Sequence, residues 1–313
     1  MSAPARRMRA LAAAALGVLL ASCQVTIGAP GRVPAEPRPP HSIAVASFDF
    51  SESVILAELY SAVLEQRGHR VIRMTNLGSR EIVQPALLQD VVDVVPEYVG
   101  TALSFATLGH ARVTSNAAAM HRRLQQVLEA SGVSVLDMAR AENENGIVVA
   151  ADTAARYDLE DISDLREHAA EMSFGGPPEC TERPLCLPGL EQTYGLRFER
   201  FVPLDPGGPT TVAALTEGDI DVALLFTTDP HLTSRDLVLL RDDRRLQPAE
   251  NIVPIVRSSV LERFGNGLRN SLRAVSNRLT TPVLRRLNFL VDVRERDPGE
   301  VARRWLIRQG LVS

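Results

Sequence analysis

Apolar positions in this chain come in short runs separated by polar, glycine-rich and proline-rich joints. Ile43-Ala44-Val45-Ala46 reads as a strand, and Ser51-Glu52-Ser53 opens a helical pattern over residues 54–64 that Gly68 ends. His69-Arg70-Val71-Ile72 reads as a second strand, Pro85-Ala86-Leu87-Leu88 as part of a second helix, and Val91-Val92-Asp93-Val94-Val95 as a third strand that Pro96 stops. The order β-α-β-α-β with short joints predicts a parallel sheet covered by helices.

A second series starts after Gly146. Ile147-Val148-Val149-Ala150 is a strand, Ile162-Ser163-Asp164-Leu165 starts a helix, and Met172-Ser173-Phe174 is a strand running into Gly175-Gly176-Pro177-Pro178. A strand at 197–201 follows, then Pro206-Gly207-Gly208-Pro209 leading into a helix through Leu215, and buried strands at 220–226 and 252–257. Residues 258–312 read as helical, with Leu279, Val283, Leu287 and Val291 at four-residue spacing and Trp305 in a last amphipathic helix. The pattern predicts an α/β protein of two lobes with a cleft between them, where ligands meet strand ends and helix starts.

The opening residues are of a different kind. Arg6, Arg7 and Arg9 precede a dozen apolar residues, too few to span a bilayer, which end in Leu20-Ala21-Ser22-Cys23. This matches a bacterial lipobox, with residues 1–22 a signal peptide and Cys23 the lipidated residue; the alternative is an ordinary cleavage site beside a stray cysteine. Residues 23–40, with four prolines from Pro34 to Pro40, read as a tether. The expected location is the outer face of the cytoplasmic membrane, held by a lipid anchor.

Composition narrows the chemistry. The 313 residues are 45% hydrophobic and 23% charged, a globular balance, and the formal charge of −4 gives no reason to expect nucleic acid as a partner. All 34 basic residues are arginine, so lysine-dependent chemistry is excluded. The six histidines show no metal spacing and no nucleophile elbow accompanies them, so neither a metal, a cofactor nor catalysis is expected. In an exported chain Cys180 and Cys186, with five residues between them, are expected to form a disulfide; free thiols or half of a metal site are the alternatives. The two glycine loops offer free N–H groups that could hold a carboxylate, or they are plain turns.

Three segments then look familiar. Phe50-Ser51-Glu52-Ser53-Val54-Ile55-Leu56-Ala57-Glu58-Leu59-Tyr60, Asp93-Val94-Val95-Pro96-Glu97-Tyr98-Val99-Gly100-Thr101, and Gly218-Asp219-Ile220-Asp221-Val222-Ala223 with Phe226-Thr227-Thr228-Asp229 resemble segments of the glycine betaine/choline/carnitine-binding proteins of ABC importers. The resemblance covers residues 43–310. It implies a two-lobed periplasmic-binding-protein fold of the second topological class, with lobe I at 41–146 and 252–313 and lobe II at 147–251. It also implies capture of a quaternary ammonium osmoprotectant and delivery to an ABC permease. The alternatives are a different zwitterionic solute, a sensor on the same fold, or a secreted enzyme.

The matched segments put Ser51 and Glu52 at the first helix start, Glu97 and Tyr98 after the third strand, and Asn145 at the first hinge. Gly208 and Thr210 fall at a second-lobe helix start, and Phe226, Thr227 and Thr228 at the end of the strand before the second hinge. These ten are the expected ligand contacts, with Phe226 supplying an apolar or cation–π face and the helix-start N–H groups and Thr210 holding a carboxylate. The family's tyrosine cage is incomplete: Val95 replaces one tyrosine, Phe226 another, and Gly146 stands where an aromatic is common.

Overall fold

The computed structural model describes residues 39–313; residues 1–22, Cys23 and the tether up to residue 38 lie outside the described residues. Along the chain run β1 (Ser42–Ala46), α1 (Ser51–Gln66), β2 (Arg70–Met74), α2 (Arg80–Leu88), β3 (Val94–Tyr98), α3 (Val99–Ala106), α4 (Ala117–Glu129) and β4 (Val133–Val135). They are followed by β5 (Asn145–Ala150), α5 (Ala151–Tyr157), β6 (Ser173–Gly176), α6 (Leu187–Tyr194), β7 (Arg200–Pro203), α7 (Pro209–Glu217), β8 (Val222–Phe226) and β9 (Leu237–Leu239). The last elements are β10 (Ile252–Arg257), α8 (Ser258–Ser276), α9 (Thr281–Asn288) and α10 (Pro298–Arg308).

The strands form two five-stranded sheets, ordered β2-β1-β3-β10-β4 and β7-β6-β8-β5-β9. In each sheet the fourth strand arrives from the other lobe and runs antiparallel to its neighbours: β10 to β3 and β4, β5 to β8 and β9. The remaining pairs, β1 with β2 and β3 and β6 with β7 and β8, are parallel. Parallel strands covered on both faces need apolar residues on both faces, and β1 and β8 are continuous apolar runs for that reason. Alternate residues of the second sheet feed two cores. Ile147, Phe174 and Leu224 pack on one face, and Val148, Ala223 and Leu225 on the other. The first lobe's core joins Ile43 and Val45 of β1 to Ile55, Leu56 and Leu59 of α1 and to Trp305 and Leu306 of α10.

β3 does not stop at Pro96, as expected from the sequence, but runs through it to Tyr98. Pro96 lies opposite Pro254 of β10. The Pro254 carbonyl accepts from the Leu136 N–H, so its backbone groups face β4 rather than β3. Two prolines facing each other at a non-hydrogen-bonded pair of an antiparallel ladder take no donor away from it. The 162–165 segment is a 3₁₀ turn, Ile162–Glu167, rather than an α-helix.

The two crossings lie side by side. Glu142 bridges Asn251, the Asn143 N–H donates to the Glu250 carbonyl at 3.1 Å, and the Ile252 N–H donates to the Ala141 carbonyl at 3.1 Å. The return crossing therefore follows β9, not β8: the chain leaves Phe226, passes through β9, and crosses near residues 247–251. The β8 end still touches the first crossing, because the Thr227 N–H donates to the Glu144 carbonyl at 2.9 Å and the Glu144 N–H to Thr227 Oγ1 at 2.9 Å.

Glu144 gives this junction a pH dependence. Burial, then the charges of Glu142 and Asp242, push its carboxyl from 4.5 up to about 7. The folded state thus holds a proton that the unfolded chain releases. Glu144's contribution to stability is complete below the ordinary carboxyl range and declines as pH rises toward 7. Glu144→Gln cannot ionise, so the variant should gain on the wild type across that window. After allowance for solvent screening the gain is about 1 kcal/mol at pH 8 and absent near pH 4. Urea unfolding at the two pH values reads it directly.

Candidate functional site

The β1–α1 joint, the end of β3 and the start of α3 bring aromatic and charged side chains to one edge of the first sheet. The β6–α6 loop and the ends of β7 and β8 face them. Between the two sides lies a cavity of about 430 Å³. Phe48, Phe50, Tyr98 and Phe105 line it from the first lobe, and Leu204, Leu224 and Phe226 from the second. Phe50 is the hub of the aromatic wall: its ring centroid lies 5.0 Å from Phe226, 6.1 Å from Tyr98 and 6.0 Å from Phe48.

The charged lining is arranged in pairs. Arg80 is buried, donates to both Glu97 oxygens at 2.9 and 2.8 Å, and sits 5.0 Å over the Phe48 ring. Burial alone would lower the Arg80 pKa, but the surrounding carboxylates, Glu97 foremost with Glu250 and Glu81, together outweigh it and the guanidinium is held more firmly charged. Arg183, in the loop between Cys180 and Cys186, pairs with Glu81 of α2 through two contacts at 3.2 and 2.8 Å. That ion pair joins the lobes beside the cavity. Cys180 and Cys186 stand side by side, with Cα atoms 5.2 Å apart, and both line the cavity.

Glu250 lines the cavity from the return crossing. Its Oε2 accepts from the Gly100 N–H at 3.0 Å. Gly100 is required there: a Cβ would lie 2.3 Å from Pro248 Cγ and 2.8 Å from the Ala249 carbonyl, so any side chain would push α3 off the crossing.

The ten residues expected from the sequence divide into three groups. Tyr98, Asn145 and Phe226 line the large cavity. Ser51, Glu52, Gly208 and Thr228, with Phe226 again, line a smaller cavity of about 260 Å³ on the other side of the Phe50–Phe226 contact. Glu97, Thr210 and Thr227 line neither. Glu97 is spent on Arg80, and Thr227 on the crossing and on Arg285, whose guanidinium donates to the Thr227 carbonyl.

Two expected roles need correction. The start of α7 carries its own anion: Asp205 accepts from the Thr210 N–H at 3.0 Å, the Thr211 N–H at 2.8 Å and Thr211 Oγ1 at 2.6 Å. Those donors are not open to a ligand carboxylate, and Thr210 points to solvent. Gly208 keeps room for that cap, since a Cβ would lie 2.4 Å from Asp205 Oδ2. Glu52 is likewise enclosed. Its Oε1 accepts from Tyr98 Oη at 2.8 Å and Asn143 Nδ2 at 2.8 Å, its Oε2 from Thr228 Oγ1 at 2.6 Å and Asn288 Nδ2 at 2.7 Å. Four donors from β3, a crossing, the β8 end and α9 converge on one carboxylate. Glu52 ties the lobes together rather than facing a ligand. Burial and then the Glu52 charge raise the Tyr98 phenol well above its ordinary value, so Tyr98 remains a donor to Glu52 and offers the cavity its ring alone.

Among the described residues no group of histidine, cysteine or carboxylate side chains is placed to hold a metal, and no helix is long and apolar enough to cross a membrane.

Residues 41–308 match the OpuAC family, described as the substrate binding domain of an ABC-type glycine betaine transport system. The chain belongs to the OpuAC family. A glycine-betaine-binding protein of Pseudomonas aeruginosa is 28% identical over 281 residues, covering 87% of this chain and 89% of that one. An ergothioneine transport permease/ergothioneine binding protein of Helicobacter pylori is 25% identical over 86% of this chain, which spans only 48% of its length. The crystal structure of a glycine betaine/carnitine/choline ABC transporter protein superposes with a TM-score of 0.67 at 23% identity, over 86% of this chain and 99% of that one. Members of the OpuAC family bind solutes and are not enzymes, and the two-lobed architecture is theirs.

Within this OpuAC-family chain two of the three departures from the tyrosine cage have a local setting. Val95 is buried in the first-lobe core and does not reach the cavity. A Cβ at Gly146 would lie 2.6 Å from Leu239 Cδ1, so a ring there would have to displace the Leu239 side chain. The aromatic wall comes instead from Phe48, Phe50 and Phe105. The first two stand in the joint between β1 and α1, which brings both rings to the cavity.

Proposed function

We propose that this chain is the solute receptor of an ABC importer, that it captures a betaine-like quaternary ammonium compound in the 430 Å³ cavity, and that it presents the solute to a membrane permease. The aromatic wall carries the reading. A quaternary ammonium group has no N–H to donate, so its recognition falls to desolvation and to the negative faces of aromatic rings. Each well-placed ring contributes about 0.5–2 kcal/mol. Phe50, Phe226 and Tyr98 supply such faces within one contact cluster, backed by Phe48. Lobe I is assigned to residues 41–146 and 252–313 and lobe II to 147–251, with the site at their seam.

A thermal-shift screen of glycine betaine, carnitine, choline and ergothioneine against amino acids tests the assignment, because a ligand bound only by the folded state raises its melting temperature. At least one quaternary ammonium compound should stabilise the protein and the primary amino acids should not. Stabilisation by amino acids alone would contradict it.

The lipobox at Leu20-Ala21-Ser22-Cys23 and the tether support export and anchoring on the outer face of the cytoplasmic membrane. Cys23→Ala should abolish lipid labelling and release the protein from the membrane fraction or arrest its processing. A variant that matures normally and stays with membranes would exclude the anchor.

Outside the cytoplasm the Cys180–Cys186 pair is proposed to be a stable disulfide that shapes the cavity's second-lobe wall. Both thiols should resist alkylation until reduced. Replacing both with serine should lower stability by about 2 kcal/mol in urea unfolding.

A further inference from the structure

Arg80 and Glu250 line the cavity and Glu97 lies behind them, and the pairing among the three leaves one over. Arg80 and Glu97 form a two-contact ion pair that uses both Glu97 oxygens. Glu250 is 1% exposed and also faces Arg80's surroundings, but no hydrogen bond joins it to the guanidinium. Its Oε2 takes the Gly100 N–H and, at 3.5 Å, Thr101 Oγ1. Its Oε1 is buried and has no hydrogen-bond partner in the protein. A buried carboxyl oxygen without a partner carries a desolvation penalty that a bound ligand can relieve.

We propose that Glu250 acts as a hydrogen-bond-donating carboxylic acid toward the acceptor end of the bound solute. It thereby selects zwitterionic betaines, which carry a carboxylate as well as the quaternary ammonium, over purely cationic amines such as choline. The inference rests on the cavity being the solute site.

The protonation state follows from the surroundings. One arginine cannot neutralise two buried carboxylates, and Glu97 holds Arg80 through two contacts. Burial raises the Glu250 carboxyl well above its ordinary value. Arg80 and the backbone N–H groups of Gly100 and Thr101 pull it down and Glu97 pushes it up, with burial prevailing. Those groups belong to α2, β3 and α3, the elements packed around Glu250, and Asp49, Glu179, Arg183 and Asp205 are the other charged side chains lining the same cavity. With Oε2 occupied as an acceptor, a proton on the unpartnered Oε1 gives the cavity wall a neutral donor beside the Arg80 guanidinium. A carboxylate placed there accepts a short hydrogen bond from the acid while Arg80 lies behind it, and the quaternary ammonium end is left to the Phe50–Phe226 wall. An ionised Glu250 would reverse the preference, repelling a carboxylate and attracting a cation.

Two measurements test this. Infrared difference spectra of the ligand-free protein, wild type minus Glu250→Gln, should show a protonated-carboxyl carbonyl band at pH 7. A carboxylate band in its place overturns the proposal whatever the protein binds. Calorimetric titration with glycine betaine and choline then reads the selectivity. Wild type should favour glycine betaine, Glu250→Gln, which keeps a neutral donor, should hold its Kd within about threefold, and Glu250→Leu should weaken it at least tenfold, about 1.4 kcal/mol. Choline should change less than threefold in both variants. Equal loss of betaine in Gln and Leu variants, or a wild-type preference for choline, overturns the proposal. A wild type that binds neither solute, with the acid band present, overturns the solute-site reading and the selectivity with it.

Discussion

Glu52→Ala is expected to lower the stability of the folded protein by about 3–5 kcal/mol, the largest single effect the structure implies. Deleting the carboxylate strands four donors at once: the Tyr98 hydroxyl, the Thr228 hydroxyl and the amides of Asn143 and Asn288. All four residues are buried, and water reaches none of them easily. Each unpaired donor costs about 1–3 kcal/mol, and partial re-pairing among the four keeps the sum below the simple total. Glu52→Gln should lose about half as much, because it preserves the shape but turns one acceptor into a donor aimed at another donor. Since the four partners come from β3, a crossing, the β8 end and α9, the loss should appear as a lower urea midpoint for the whole domain. A Glu52→Ala variant within 1 kcal/mol of wild type would show that the network is not what ties the lobes together.

Phe226→Ala should weaken the preferred quaternary ammonium solute at least thirtyfold, about 2 kcal/mol. Phe226 is the second-lobe ring nearest Phe50, at 5.0 Å, and it lines both cavities. Its removal takes one face from the cationic group and opens the large cavity into the small one, so the cation regains water. Phe226 is only half-buried, so the fold should survive the truncation. Phe226→Tyr, which keeps the ring, should bind within about threefold of wild type. A Phe226→Ala variant with unchanged affinity and an intact fold would move the solute away from this wall.

The lobes were readable in the sequence because each sheet contains a short apolar run, residues 43–46 of β1 and 222–226 of β8, set between helical segments. Pro96 misled because proline's usual meaning in a strand depends on its cross-strand partner, and Pro254 lies far away in sequence. The reversal at β8 misled for a related reason: β9 is three residues long, too brief for its alternation to register. In the site, Phe226 and Tyr98 were legible from their motif positions. The role of Glu52 was not, because nothing local marks a carboxylate whose four donors come from residues 98, 143, 228 and 288. The start of α7 has the same lesson at short range. A glycine loop before a helix looks open to anions until Asp205, three residues before Gly208, turns back to fill it. Glu250 and Arg80 were missed because their importance arises only where α2, β3 and the return crossing meet.

Calorimetric titration of glycine betaine into the wild-type protein, repeated with Phe226→Ala, asks whether the aromatic wall holds the solute. The wild type should show one saturable site per chain, and Phe226→Ala should weaken it at least thirtyfold, about 2 kcal/mol. Saturable binding that is indifferent to Phe226, or no binding of glycine betaine, carnitine or ergothioneine at millimolar concentration, would contradict it.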